Sequence, residues 1–148
     1  MALYIFLIFA VVLLDQLVKL LVVNSIPLDH SVQFIPSILS IAHIRNYGAA
    51  WNIFTGQKWF LFLITLVALG ILGYLFLKLR KNWIYALGIS LMIGGTLGNF
   101  VDRIRIGYVV DMLQLDFINF PIFNVADSAL SVGVVIIIIG MLRDEKND

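Results

Sequence analysis

The 148-residue sequence contains no cysteine and few charged residues. Without cysteine the chain has no disulfide, no thiolate nucleophile and no thiolate ligand for a metal. Only 13% of the residues are Asp, Glu, Lys or Arg, and the ten Lys and Arg residues are scattered rather than grouped into a basic stripe. This distribution, with a net charge of +1, argues against a surface that binds nucleic acid.

Apolar residues, in contrast, make up 61% of the chain. Ordinary soluble domains contain about 45–50%. The composition therefore indicates an integral membrane protein. No linker rich in Pro, Gly or Ser, no low-complexity tract and no repeat of fixed period divides the sequence, so we expect a single domain over residues 1–148.

Four apolar runs are long enough to cross a bilayer, which takes about 20 helical residues. We predict transmembrane helices over residues 3–23, 59–77, 83–101 and 126–142. The turn between the second and third helices carries Lys78, Arg80 and Lys81, and turns with such charges stay in the cytoplasm. The sequence thus predicts a multi-pass protein with both termini in the cytoplasm and with residues 24–58 and 102–125 outside.

The two external segments do not have the composition of flexible tethers. Polar and apolar residues alternate imperfectly in residues 31–46 and 109–120, as they do in short strands at a membrane surface. The stretch YGAAWNIFTG, residues 47–56, predicts a short interfacial helix. The expected fold is an all-α membrane protein, a bundle of four transmembrane helices with a small external β-sheet as a cradle.

Asp15 and Lys19 place opposite charges on one face of the first helix. Each charge costs about 2.5–3.5 kcal/mol near the bilayer centre, so the two side chains are expected to pair or to face the bundle. One interpretation is a supporting ion pair that tethers this helix, with Lys19 extending outward to the headgroups. The other is direct contact with a ligand.

The third helix ends in GNFVDR, residues 98–103, which contains three polar side chains. For Asp102 and Arg105 the simplest interpretation is that their charges meet the headgroups. Asn99 lies one turn inside the apolar run, where an amide needs hydrogen-bond partners. We therefore expect Asn99 to contact other polar groups of the bundle.

Asp111 and Asp127 flank the excursion that leads into the fourth helix. If Asn124 caps that helix, Asp127 occupies its third position, where an acid reaches back to the N–H of the cap. This pattern is explained either by a good helix start or by a functional carboxylate. Residues 112–123 are long enough to form a hairpin-like excursion that leaves the end of the bundle and returns to it, which would bring the two carboxyl groups together. Two adjacent carboxyl groups share one proton and can act on a water as acid and base.

Other chemistries have weaker support in the sequence. Ser128 and Ser131 have no histidine nearby and no Gly-x-Ser-x-Gly elbow. His30 and His43 do not form the three or four converging ligands that a metal needs, so we expect no metal and no cofactor. A small proton-coupled transporter would also place acids in a membrane bundle and is the main alternative.

Five ordered stretches resemble the bacterial lipoprotein signal peptidases, also called signal peptidase II. They are DQLVK at 15–19, NYGAAW at 46–51, GNFVDR at 98–103, YVVD at 108–111 and FNVAD at 123–127. Each stretch is weak alone, but their order on four spans is highly specific. The resemblance implies an aspartyl endopeptidase of the cytoplasmic membrane whose catalytic pair is Asp111 and Asp127, near the outer face.

The resemblance also implies the substrate and the remaining site residues. The substrate would be a prolipoprotein whose cysteine carries diacylglycerol, cut just before that cysteine, and the cyclic peptide globomycin would inhibit the reaction. Membrane lipids would surround the enzyme, and nothing demands more than a monomer. The residues that would bind substrate or support the catalytic pair are Asn46, Asn99, Arg103, Asn124, Asp15 and Lys19.

Overall fold

The computed structural model describes residues 1–49 and 53–145. Its elements follow the order α1 (Ala2–Ser25), β1 (Ser31–Ile35), β2 (Leu39–Asn46), α2 (Lys58–Leu79), α3 (Trp83–Arg105), β3 (Val109–Leu115) and α4 (Val125–Glu145). All four helices are long and apolar enough to cross a membrane. The four predicted spans are therefore confirmed, and the architecture is a membrane bundle with a small sheet.

Helix α3 is the centre of the bundle and packs against α1, α2 and α4. The spacing of Gly94 and Gly98 predicts a close helix contact, and the structure confirms it. A Cβ on Gly94 would lie 2.8 Å from Val11, and one on Gly98 would lie 2.8 Å from the Asp15 carboxylate, both on α1. These glycines let α1 approach the end of α3 where the polar residues lie.

The three strands form one antiparallel sheet in the order β1-β2-β3. In the β2–β3 pair, Ile44 lies opposite Asp111 and Asn46 opposite Val109, with a register shift between Ile41 and Ile44. Val110 and Met112 of β3 pack on Val22 of α1. The predicted short strands are confirmed, and their packing attaches the sheet to the end of α1.

The predicted interfacial helix covers residues 47–56, of which 50–52 lie outside the described residues. Residues 53–56 form a turn, in which Phe54 has a φ of 63° and the Ala49 N–H donates to the Ile53 carbonyl at 2.7 Å. The described residues of this segment, 47–49 and 53–56, form bends and a turn rather than the predicted helix.

Candidate active site

Helix α4 begins with a reciprocal pair of side-chain caps. The Asn124 side chain accepts a hydrogen bond from the Asp127 N–H at 2.9 Å, and the Asp127 carboxylate accepts one from the Asn124 N–H at 3.2 Å. Such a capping box satisfies two N–H groups that a first turn leaves without partners. The predicted cap is confirmed, and it holds the Asp127 carboxylate where the helix dipole favours negative charge.

Asp111 lies in the middle of β3 with only 3% of its surface exposed. Its carboxylate accepts hydrogen bonds from the side-chain amides of Asn46, at 2.9 Å, and Asn124, at 2.7 Å. The strand pairing brings Asn46 beside it, because β2 and β3 run antiparallel with Asn46 and Asp111 near the same end. The sheet thus presents Asp111 to the start of α4.

Asn124 connects the two carboxylates. It donates to Asp111 through its side-chain amide and contacts Asp127 through both its side-chain oxygen and its backbone N–H. Asn99 of α3 completes this arrangement, donating to the Asp127 carboxylate at 2.7 Å and accepting from Asn124 at 3.0 Å. The sequence expectation that Asn99 finds polar partners is confirmed.

Burial raises the pKa of Asp111 to about 6, above its ordinary value of 3.8. The negative charge of Asp127 also raises this pKa, whereas the hydrogen bonds from Asn46 and Asn124 and the positive charge of Lys19 lower it. Desolvation outweighs the favourable contacts. Asp111 therefore retains its proton to a higher pH than an ordinary aspartate does.

A buried charge cluster lies beneath the two aspartates. The Lys19 ammonium is 2.8 Å from the Asp15 carboxylate and 2.9 Å from the Asp102 carboxylate, and it donates to the Asn99 side-chain oxygen at 3.1 Å. The predicted pairing of Asp15 with Lys19 is confirmed. The extension of Lys19 to the headgroups is wrong, because only 4% of its side chain is exposed.

The same cluster holds the backbone on the N-terminal side of each aspartate. The Asp15 carboxylate accepts a hydrogen bond from the N–H of Ala126, which precedes Asp127, at 2.9 Å. The Asp102 carboxylate accepts one from the N–H of Val110, which precedes Asp111, at 3.1 Å. Because Lys19 pairs with both carboxylates, one ammonium group links the two backbone positions.

Sequence reasoning missed two members of this cluster. Asp102 does not meet the headgroups as expected, since α3 continues to Arg105 and carries Asp102 inward, where it is 4% exposed. The Gln16 amide donates to Asp102 at 2.8 Å, to Asp15 at 3.3 Å and to the Gly98 carbonyl at 3.2 Å. The three-residue spacing from Asn99 to Asp102, which places both on one helix face, was the available signal.

Arg103 and Asn46 hold the segment that follows β2. The Arg103 guanidinium donates to the Gly48 carbonyl at 3.1 Å, and the Gly48 N–H donates to the Asn46 side-chain oxygen at 2.9 Å. Asn46 therefore contacts this segment and Asp111 at once. Arg105 is exposed and donates to the Gln16 side-chain oxygen at 3.2 Å.

A cavity of about 920 Å³ adjoins these residues. Both aspartates line it, together with Asn46, Asn99 and Arg103, whereas Asn124, Asp15 and Lys19 lie behind the lining. The cavity extends along α3 to Thr96 and along α4 to Val132. Val132 is five positions after Asp127, which corresponds to about 7.5 Å along the helix axis, so the cavity continues from the carboxylates into the apolar part of the bundle.

The arrangement is suited to acid–base chemistry on a water. Both carboxylates accept hydrogen bonds from Asn124, and Asp111 keeps its proton to a higher pH than an ordinary aspartate does. Among residues 1–49 and 53–145, no three His, Asp or Glu side chains are grouped to hold a metal ion. His43 lies elsewhere, with a ring nitrogen 2.8 Å from the Ile26 carbonyl oxygen.

Comparison with known proteins places the chain in a family. A lipoprotein signal peptidase of Lactiplantibacillus plantarum is 55% identical, with 99% of this chain and 98% of that protein aligned. Another from Enterococcus faecalis is 51% identical over 90% of this chain and 83% of its own length. A solved bacterial membrane enzyme superposes with a TM-score of 0.95 at 40% identity, covering 100% of this chain and 92% of that one. The model of the signal peptidase (SPase) II family matches residues 7–143, and the chain therefore belongs to this family of peptidases.

Proposed function

We propose that this peptidase is an aspartyl endopeptidase in which Asp111 and Asp127 form the catalytic pair. The observation that carries the proposal is the shared contact with Asn124, whose side-chain amide donates to the Asp111 carboxylate and whose backbone N–H donates to the Asp127 carboxylate, beside a large cavity. Asn46 and Asn99 orient the pair through their amides. Asp15 and Lys19 support it through the backbone and through Asn99.

The roles of the two carboxyl groups follow from their surroundings. Asp111, whose pKa burial raises to about 6, holds the proton and donates it to the scissile carbonyl oxygen. Asp127, at the helix N-terminus, accepts a proton from the water whose oxygen attacks the carbonyl carbon. The tetrahedral diol then collapses. Its hydroxyl proton returns to Asp111, Asp127 protonates the departing nitrogen, and the C–N bond breaks.

Asn99 and Arg103 are the lining groups that can stabilise the developing oxyanion, because both reach the cavity. Asn124 does not line the cavity and is fully buried, so we propose that its role is to position the two carboxyl groups. This assignment favours Asn99 over Asn124 as the oxyanion donor.

The proposed substrate is a prolipoprotein whose cysteine carries diacylglycerol, cut just before that cysteine. The named relatives are lipoprotein signal peptidases, and the cavity combines polar groups at the carboxylates with apolar walls deeper in the bundle. Its length along α4 suits a substrate that stays partly in lipid while its amide meets water. The products would be a signal peptide and a lipid-anchored protein with a free cysteine amine.

The proposed setting is the bacterial cytoplasmic membrane, with the chain as a monomer among membrane lipids. Lys78, Arg80 and Lys81 favour a cytoplasmic α2–α3 turn, which puts both termini in the cytoplasm and the aspartates near the outer face. Globomycin-type cyclic peptides would compete for the cavity.

A proton-coupled transporter is not favoured. It would need a polar path to the far end of the bundle, and an apolar cluster of Leu72, Phe76, Ala86 and Ile89 fills that end. Every buried side-chain nitrogen or oxygen in residues 1–49 and 53–145 already has a hydrogen-bond partner. The polar groups are therefore connected to one another, and the apolar cluster separates them from the far end of the bundle.

The test is cleavage of a diacylglyceryl-modified precursor by the purified protein in lipid nanodiscs, read by mass spectrometry. Asp111→Asn and Asp127→Asn should each lower the rate by about 10²–10⁴-fold, because each removes a proton-transfer group and keeps the side-chain volume. Asp116→Asn, an exposed acid of the same segment, should keep the full rate.

Substantial cleavage by either dyad variant, with the protein folded, would end the assignment of the pair. A precursor with an unmodified cysteine should remain uncut, and its cleavage would contradict the substrate class. A gel shift of the modified precursor on adding enzyme should disappear with globomycin.

A further inference from the structure

The end of the sheet far from the aspartates carries an unusual set of exposed side chains. Between 41% and 68% of each residue's surface is exposed, although all are large and apolar. We call this set the apolar tip, and it consists of Val32, Phe34, Ile35, Ile38, Phe117 and Ile118. A water-soluble surface would not display six such residues together, because contiguous apolar patches mark interaction sites.

The two parts of the apolar tip belong to one surface. The Asp116 N–H donates to the Ile38 carbonyl at 3.0 Å, and the Ser40 hydroxyl donates to the Asp116 carboxylate at 2.8 Å. These bonds fix the turn at residues 117–118 against the β1–β2 turn. The tip is therefore a single feature built from two chain segments.

The segments that form the tip are free of charge over long stretches. Residues 31–44 and residues 117–126 contain no Asp, Glu, Lys or Arg. Asp116, between them, uses its carboxylate to accept hydrogen bonds from side chains of the sheet. A tip that faced water or a charged partner would not need to exclude charge, whereas a tip in hydrocarbon would.

The sheet also lies at the depth of the membrane-spanning part of α1. Val110 and Met112 pack on Val22, and Val18, one turn deeper, belongs to the same cluster. A groove of about 350 Å³ runs between the last turns of α1, including Leu21 and Val22, and the β1 side chains of Val32 and Phe34. The lipid-facing surface of α1 thus continues directly onto the tip.

We propose that the apolar tip inserts into the acyl-chain region of the lipid leaflet that surrounds the end of α1. Insertion removes its side chains from water at about 25 cal/mol per Å² of apolar surface. β1 is an edge strand, paired on one side only by β2, and lipid burial of its exposed side chains also keeps this edge away from other strands.

Insertion of the tip does not depend on which residues are catalytic, but it affects how a substrate reaches the cavity. Phe120 and Phe123, which line the main cavity, follow the tip directly in the chain. A tip anchored in lipid holds this wall of the cavity at the lipid boundary. A lipid-bearing substrate then reaches the cavity from the leaflet rather than from water.

The absence of cysteine makes a direct test simple, because single cysteines can be labelled without background. Spin labels are placed at Ile38→Cys and Ile118→Cys in the full chain, reconstituted in phosphatidylglycerol and phosphatidylcholine nanodiscs at one chain per disc. Leu17→Cys, on the exposed face of α1, is the lipid reference, and His30→Cys, an exposed position just before β1, is the water reference.

Collision rates with oxygen and with a water-soluble nickel complex measure the depth of each label. Labels at 38 and 118 should resemble the label at 17, with nickel collisions several-fold lower than at 30. Nickel collisions equal to those at 30 would overturn the proposal. Protection that appears only in discs with two chains would also overturn it, because it would make the tip a contact between copies.

A second variant pair keeps the test decisive if one label perturbs the fold. With the label at Ile35→Cys, the background Ile38→Asp/Ile118→Asp should move the label toward water, whereas Ile38→Leu/Ile118→Leu should leave its depth unchanged. Circular dichroism checks that each protein is folded. An unchanged depth in the Asp background would contradict insertion of the tip.

Discussion

The two halves of this bundle are both packed around α3, but by different means. The half with Asp111 and Asp127 is held by hydrogen bonds and ion pairs among buried polar side chains. The other half is held by an apolar cluster, in which Tyr4 of α1 meets Phe76 of α2 edge-on with ring centroids 5.9 Å apart. Lipid is as apolar as leucine, so neither half can rely on the hydrophobic effect between helices.

The polar half adds directional hydrogen bonds and ion pairs to its close helix contacts. Each carboxylate in it has defined partners, so rotation or displacement of one side chain would leave a buried polar group without a partner. Such groups cost stability to bury, but their geometry is unique. A site that must place two carboxyl groups correctly needs this uniqueness more than it needs stability.

The apolar half depends on close contact between helix backbones. A Cβ on Gly88 of α3 would lie 2.8 Å from the Gly133 carbonyl of α4, and one on Gly133 would lie 2.6 Å from the Gly88 carbonyl. The two backbones therefore touch, and the contact depends on the absence of side chains. Gly70 and Gly73 of α2 have nothing within 4 Å of such an atom, since α2 lies at the edge of the bundle.

The largest effect is expected from removing the charge that holds the polar half together. Lys19→Met leaves the carboxylates of Asp15 and Asp102 buried beside each other without a cation. The free energy of unfolding should fall by about 3–5 kcal/mol, the usual cost of an uncompensated buried charge. Unfolding by sodium dodecyl sulfate in mixed micelles measures it.

The control for this change is Lys78→Met, which removes an exposed lysine and should alter stability by less than about 0.5 kcal/mol. Adding Asp102→Asn to Lys19→Met should recover part of the loss, because one uncompensated charge disappears. Equal stability of Lys19→Met and the unaltered protein would mean that the polar half does not depend on its ion pairs.

The second effect concerns pH and again belongs to the polar half. The pKa of Asp111 is raised to about 6 from 3.8, so the folded state binds its proton more tightly than the unfolded state does. Its contribution to stability is full below about pH 4 and is lost as the pH rises toward 6, a change of about 3 kcal/mol. Thermal unfolding across this range measures the trend.

Asp111→Asn should remove this part of the pH dependence, whereas Asp116→Asn should leave it unchanged. A wild-type stability that rises between pH 4 and 6, relative to Asp111→Asn, would have the opposite sign and would contradict the inferred desolvation of Asp111.

The smallest effect is expected in the apolar half. Gly88→Ala places a methyl group against the backbone of α4 and should lower stability by about 1–3 kcal/mol, because the helices must separate. The matched change Gly70→Ala meets open space and should raise stability by up to about 1 kcal/mol through helix propensity. Thermal melts compare the two, and equal melting temperatures would show that close helix contact does not stabilise this half.

Several features were decided by local sequence. Four apolar runs of sufficient length demand helices, because a bilayer leaves no other way to satisfy the backbone. The Asn124–Asp127 cap involves residues three apart, and the Asp15–Lys19 pair residues four apart, so helical geometry alone predicts both. The alternation of polar and apolar residues likewise predicts strands in the segments that form the sheet, although not their pairing.

Other features depended on contacts between segments far apart in the chain. Asp102 appears from the sequence to be an interfacial charge, and it becomes buried only because Lys19 and Gln16, more than eighty residues earlier, supply partners for it. The convergence of Asn46, Asp111 and Asn124 likewise requires the register of β2 and β3 and the docking of α4. Periodicity reports which face of a helix is polar, but not which polar groups of other segments it meets.

The sequence by itself thus determined the membrane spans, the helix cap and the types of residue available for chemistry, because these depend on composition and on neighbours within one helical turn. Tertiary structure alone decided that one lysine links the backbone positions before both aspartates. It also decided that the carboxyl group of Asp111 is buried enough to hold a proton. Both outcomes arise from desolvation and hydrogen bonding among residues that no local pattern brings together.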